Sequence, residues 1–194
     1  MSRYFIENDT NVLDLGCSQG TLLRKIREIN TQAPEAQYFG VDINESFKQH
    51  WEDDDNLHYF ISDLTKDEFK WGNLSLVISL FTFQFLPERS RLNLMRSVYD
   101  NLIEGGAFIF SEKVFSKDSK IQNMMEFLYY DYKKENFSEK QILDKETELR
   151  HLAKLTNEDL LMKQLETVGF ETVQSFWRNH NFVGYIALKK PLFE

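Results

Sequence analysis

The chain has 194 residues, 42% apolar and 28% charged, a composition that fits one globular domain large enough to bury a core. Its formal net charge of −8 gives no general attraction to nucleic acid, and direct nucleic-acid binding is not expected. One cysteine, Cys17, excludes an internal disulfide and a cysteine-ligated zinc cluster, and without an apolar signal or a membrane-length apolar run the sequence predicts a cytoplasmic protein with no metal centre.

Residues 12–15 read as a short buried strand, and 21–30 as a helix with Leu22, Leu23, Ile26 and Ile29 on one face. The adjacent cations Arg24, Lys25 and Arg27 read as a solvated face of that helix. A second strand over 38–41 ends at Asp42, and a short helix and an acidic turn follow in "NESFKQHWEDDDN". A third strand over 57–61 ends near Asp63. The fourth, 74–80, is apolar on both faces, as a strand covered by helices on both sides requires. Pro87 suits the first turn of a helix whose stripe is Leu92, Met95, Tyr99 and Leu102, with Gly105 and Gly106 stopping it. Residues 107–110 make a fifth strand.

Residues 120–154 are helical and charged, with Ile121, Met124, Met125, Leu128 and Tyr132 on one face. That face reads either as core packing or as a lid or dimer surface. Thr156 with Asp159 resembles a capping box, and Gly169 ends the helix that follows. Residues 173–177 and 182–188, joined around Asn179, His180 and Asn181, read as an antiparallel pair. The whole predicts one α/β domain over residues 1–194. Its doubly wound, Rossmann-like sheet is mostly parallel, closed by an antiparallel C-terminal pair and interrupted by a helical insertion at about 116–155.

In such a sheet, ligands bind beyond the carboxyl ends of the strands, where strand order reverses. "NVLDLGCSQG" supplies the loop after the first strand. Gly16 and Gly20 permit close backbone approach, and the helix starting near Gly20 offers free N–H groups. Cys17 reads as a small residue fitting the turn. Asp42 is placed to accept both hydroxyls of a ribose, and Asp63 to reach an adenine amino group with Leu64 against the ring. The loop lacks the G-x-G-x-x-G spacing of a dinucleotide site, and the order of these elements points to S-adenosyl-L-methionine rather than NAD. Asp14 then braces the loop or meets the cofactor's amino group.

"FTFQFLPERSRLNLMRSVYDNLIEGGAFIFSEK", "FSEKQILDK" and "VGFETVQSFWRNHNFVGYIALK" resemble the carboxy-S-adenosyl-L-methionine synthases, and with "DLGCSQG" the likeness runs over nearly the whole chain. The resemblance implies a class I methyltransferase fold and a homodimer. It also implies a reaction in which prephenate loses carbon dioxide to become phenylpyruvate while the carboxyl group is captured on the cofactor's methyl carbon. The product, carboxy-S-adenosyl-L-methionine, is a carboxymethyl donor for tRNA wobble uridines. Cofactor contacts are implied at Gly16, Cys17, Ser18, Asp42, Ile43, Asp63 and Leu64.

Three features depart from the family. Its N-terminal extension, with a Tyr that reaches the cofactor, has no counterpart in the ten residues before the first strand. Leu80 stands where the family usually has Asn. Glu146 stands where the family has a carboxylate-binding Arg, with Arg150 one helical turn on. Two other readings follow from these departures: methyl transfer to an unidentified acceptor, and a non-catalytic relative that binds the cofactor, or nothing, and acts through its dimer surface.

Overall fold

A computed structural model describes residues 1–67, 70–150 and 152–190. The strands are β1 (Asn11–Leu15), β2 (Gln37–Asp42), β3 (Leu57–Ile61), β4 (Leu74–Leu80), β5 (Leu102–Phe115), β6 (Thr156–Asn157), β7 (Thr172–Asn179) and β8 (Phe182–Leu188). The α-helices are α1 (Thr21–Ile29), α2 (Glu88–Asn101), α3 (Ser119–Lys134), α4 (Glu139–Leu149) and α5 (Glu158–Val168).

The sheet order is β3-β2-β1-β4-β5-β8-β7, and the two residues of β6 pair with the end of β5. β1 to β5 run parallel, whereas β8 is antiparallel to β5 and β7 to β8. From β1 the chain steps outward to β2 and β3, then returns to the other side of β1 as β4. Strand order therefore reverses between β1 and β4, which opens a crevice at their carboxyl ends.

Period-two alternation assigns the strand residues to two cores. Leu13, Leu15, Phe108 and Phe110 face α2 and α5, packing with Leu94, Met95, Val98, Leu161 and Leu165. Val12, Leu76, Ile78 and Ala107 face α1 and pack with Leu23, Ile26, Tyr38 and Tyr59. Phe110 stacks between Phe108 and Tyr185, with ring centroids 4.6 and 5.2 Å away.

Several local expectations are corrected. Leu22 and Ile29 are exposed and only Leu23 and Ile26 of α1 are buried, because Leu22 borders a cleft and Ile29 ends the last turn. α2 stops at Asn101 rather than at the glycines. The Asn101 side chain accepts the Gly72 amide and donates to the Ser97 carbonyl, and Leu102 starts a strand that runs through Gly105 and Gly106. The cap of α5 is Asn157, which accepts from the Leu160 amide; the capping box lies instead at Ser138 and Gln141, before α4.

Thr156 serves a buried polar chain. Arg91 donates to its hydroxyl at 2.8 Å, and that hydroxyl donates to Glu112 at 3.1 Å. Arg91 also holds the Leu86 and Gln84 carbonyls. This network fixes the segment after β4 to the end of β5 and to the entry of α5. Burial drives the Glu112 carboxyl up to about 7 despite the opposing Arg91 charge. The predicted stripe of α3 finds no core: no residue of this helix is buried, and Ile121, Met124, Leu128 and Tyr132 stay exposed.

Phe108 is fully buried at the centre of the aromatic stack. Phe108→Ala should cost about 3–5 kcal/mol, the range for deleting a buried ring. Urea unfolding checks this as a lowered midpoint at unchanged slope.

Candidate functional site

Three features build the rim of the crevice. The loop after β1 places three of five residues in left-handed backbone: Gly16 (φ 80), Ser18 (φ 51) and Gly20 (φ 75). The Gly16 and Cys17 amides both donate to the Val41 carbonyl, pinning the loop to β2. The loop after β4 comes so close that a Cβ on Gly16 would lie 2.3 Å from the Thr82 hydroxyl oxygen. That hydroxyl donates to the Leu15 carbonyl at 2.9 Å. Gly16 is therefore needed for both its φ and its missing side chain.

Asp42 ties the second side of the rim. Its two carboxylate oxygens accept the Ser18 and Asn44 amides, each at 2.9 Å. Trp51 props the loop from outside: it donates to the Ser18 carbonyl at 2.8 Å and stacks on Tyr59. Phe81, at the end of β4, also has left-handed backbone (φ 59), held by its amide on Ser111. A bulky residue in this conformation stores strain of the kind found at functional sites.

The crevice has two lobes that share Gly16 and Leu80 in their walls. The larger, about 520 Å³, is lined by Asp42, Ile43, Asp63 and Leu64. The smaller, about 260 Å³, is lined by Asp14, Cys17 and Ser18. Nine of the ten residues expected at the cofactor site are thus gathered on one surface; Gly20 lies behind the loop, packed on Tyr59. Glu146 lines a separate cavity, with Tyr129, Tyr130 and Lys133, and Arg150 is exposed at the end of α4, outside that lining. Among the described residues no cluster of side chains could hold a metal ion, and no helix is long and apolar enough to cross a membrane.

The acids differ in state. Asp14 is 3% exposed, and no donor among the described residues reaches its carboxylate. Burial, reinforced by the Asp42 charge, drives it up to about 7. Asp63 is the opposite case. Lys66 pairs with it at 2.8 Å and the Thr65 hydroxyl and amide bond to it, holding it down at about 2. The Cys17 thiol is pushed far up, by burial first and then by Asp14 and Asp42, and stays protonated. It packs against Gly40 as a small apolar group rather than standing as a nucleophile.

Glu146 does not stand unpaired. Tyr130 donates a short hydrogen bond to it, and Lys133 bonds it at 2.8 Å. Burial works to raise this carboxyl, but the two donors outweigh burial and hold it below its ordinary value. The sequence reading missed these partners, Lys113 and Thr82. Thr82 stands in the "FTFQFL" run but carries no spacing signal of its own, and the lysines become neighbours only through the packing of α3 on β5.

Folded Asp14 keeps its proton to about pH 7, whereas an ordinary aspartate releases it near 3.8. Between those values the folded state binds more protons, so this residue makes stability fall as pH rises through the window. Asp14→Asn should therefore gain stability over wild type on going from about pH 5 to about pH 8, by a few kcal/mol at most. Thermal unfolding across that range checks the sign.

Residues 12–106 match the methyltransferase domain family. Human N-acetylserotonin methyltransferase, solved with its S-adenosylmethionine, superposes with a TM-score of 0.62 at 16% identity over 93% of this chain. Phosphoethanolamine N-methyltransferase 2 from Haemonchus contortus does so with 0.67 at 15% over 97%. The present chain spans 48% and 51% of those longer proteins, and this likeness establishes the class I methyltransferase fold. Sequence similarity reaches further. Carboxy-S-adenosyl-L-methionine synthase of Staphylococcus epidermidis is 32% identical over 96% of this chain and 82% of its own length. The enzyme of that name from Shewanella sp. strain ANA-3 is 33% identical over 95% and 78%. Identity at that level over nearly the whole chain means that the chain belongs to the carboxy-S-adenosyl-L-methionine synthase family.

Proposed function

We propose that this protein is a transferase that binds S-adenosylmethionine in the two-lobed crevice and makes carboxy-S-adenosylmethionine from it and prephenate. One observation carries the cofactor reading: a buried carboxylate, Asp14, without a donor, in the small lobe of a switch-point cleft. An ammonium group is the partner it lacks, and the amino-acid end of the cofactor supplies one. The larger lobe suits the adenosine. Asp42 spends one acceptor site per oxygen on the loop amides and keeps others for ribose hydroxyls. Ile43, Leu64 and Leu80 provide apolar walls for a flat ring. Asp63 already accepts from Thr65 and Lys66, so its role is to fix the turn that carries Leu64, with one oxygen still able to take an adenine amino group.

Bound there, the cofactor supplies an activated sulfonium methyl carbon. The chain's part is to bind, orient and exclude water. Gly16 and Thr82 bring the two loops together, and the strained Phe81 stands between the crevice and the adjoining cavity of about 660 Å³. That cavity is the place for the second reactant. Methyl transfer to another acceptor was favoured by the short N-terminal segment and by Glu146; the pairing of Glu146 with Lys133 and Tyr130 removes the unpaired negative charge from that reading.

Incubating the protein with S-adenosylmethionine and prephenate should yield the carboxylated sulfonium and phenylpyruvate by mass spectrometry; a methylated acceptor with no carboxylated product would overturn the synthase reading. Asp42→Ala should weaken cofactor binding by about 1.5–3 kcal/mol by calorimetry, the range for hydrogen bonds to a charged group.

The reading includes a homodimer. Met124, Phe127, Leu128 and Tyr132 of α3 leave an exposed apolar face, Phe127 at 71%. Such a face is stable in water when a second copy covers it. Light scattering should give twice the chain mass, and Phe127→Asp with Leu128→Asp should halve it.

A further inference from the structure

The cavity beside the crevice has a chemistry of its own. It shares Phe81 and Phe85 with the larger lobe, so a molecule in it adjoins whatever occupies the crevice. Its walls combine aromatic rings with the carboxylates Glu126 and Glu146 and three lysines; Lys145 pairs with Glu148, and the other two are Lys113 of β5 and Lys133 of α3. Both address the Tyr129 ring, their nitrogens 5.5 and 4.3 Å from its centroid. Lys113 also lies 5.6 Å from the Phe182 centroid.

The two lysines are not equivalent. Lys133 is held in place by Glu146 at 2.8 Å. Lys113 has no hydrogen-bond acceptor and no carboxylate within ion-pair distance among the described residues; it contacts only ring faces. Burial, and then the Lys133 charge, depress its proton affinity against the opposing charges of Glu146 and Glu126. A half-buried ammonium kept against rings, with Glu146 and Glu126 acting on it only from beyond ion-pair distance, is better satisfied when an anion comes into contact with it. Two cations around one ring fit a carboxylate, and the aromatic walls fit a flat or cyclic body attached to it.

We propose that Lys113 and Lys133 form the carboxylate-binding site of this enzyme, with Glu146 as a positioning residue that orients Lys133. The proposal rests on the transferase reading above for its location beside the cofactor. It removes the apparent contradiction at position 146: the acid does not meet the substrate carboxylate but holds one of the two cations that do. The carboxylate could belong to a free ring-bearing acid or to the carboxylated sulfonium, and both present the same group.

Calorimetry on the full chain separates these cases. Phenylpyruvate is titrated with and without S-adenosylhomocysteine, its methyl ester serves as the uncharged twin, and carboxy-S-adenosylmethionine is compared with S-adenosylmethionine. Lys113→Gln is the informative variant, because Lys113 holds no internal acceptor. It should bind a carboxylate probe at least tenfold more weakly, with the ester and S-adenosylmethionine affected less than about twofold, and Lys113→Arg should recover most of the loss. A loss in the phenylpyruvate arm assigns the site to the free acid; a loss confined to the carboxylated sulfonium assigns it to that group. Equal affinity of wild type and Lys113→Gln for both carboxylates overturns the proposal. Failure of wild type to bind S-adenosylmethionine would instead overturn the cofactor reading, which the cofactor-free phenylpyruvate arm does not depend on.

Discussion

Everything at this site depends on how closely the carboxyl ends of β1 and β4 approach. The Thr82 hydroxyl reaches the Leu15 carbonyl only because Gly16 has no side chain, a Cβ there being within 2.3 Å of the threonine oxygen. That contact sets the width of the crevice at the switch point. It also turns the chain sharply enough that Phe81 takes left-handed backbone and stands between two cavities. Rigid loops on a buried sheet can hold such strain because the strands beneath are over-determined by packing.

Electrostatics then divide the site into zones. Asp14, buried without a donor, makes a place where a cation is wanted. Asp42 holds the loop through two amides, and Asp63 is neutralised locally by Lys66. In the neighbouring cavity the balance is inverted, with an ammonium lacking an ion-pair partner at Lys113 and an ion pair at Lys133 and Glu146. A zwitterionic sulfonium on one side and a carboxylate on the other would each meet the charge they lack. The buried Arg91–Thr156–Glu112 chain keeps these zones in register by tying the segment after β4 to the end of β5.

Much of the fold was legible from periodicity. The continuous apolar run of β4, the alternation along β5 and the glycine-rich turn after β1 each report directly on a strand buried on both faces or on a loop that needs positive φ. Boundaries were harder. Leu102 continues the spacing of the α2 stripe yet belongs to a strand, because the main core accepts it in either state and Asn101 ends the helix through its own side chain. Thr156 looked like a cap because its type and spacing suit one, but a neighbouring asparagine took that place and the threonine joined a buried network.

By itself the sequence placed Asp14, Asp42, Asp63 and Leu64 at the carboxyl ends of the strands, and the family resemblance added Ile43; the fold brings these and Leu80 to one cleft. These positions are set locally, by where each strand stops. Charge state and pairing were decided only by tertiary structure. Glu146 reads in sequence as a repulsive substitution; in the folded chain Lys133 and Tyr130, on another helix, neutralise it. Lys113 carries no signal of its own in the sequence; β5, α3 and β8 bring it between the Tyr129 and Phe182 rings. The physical reason is that a group's desolvation and its Coulomb partners are properties of the space around it, and residues distant in the chain fill that space.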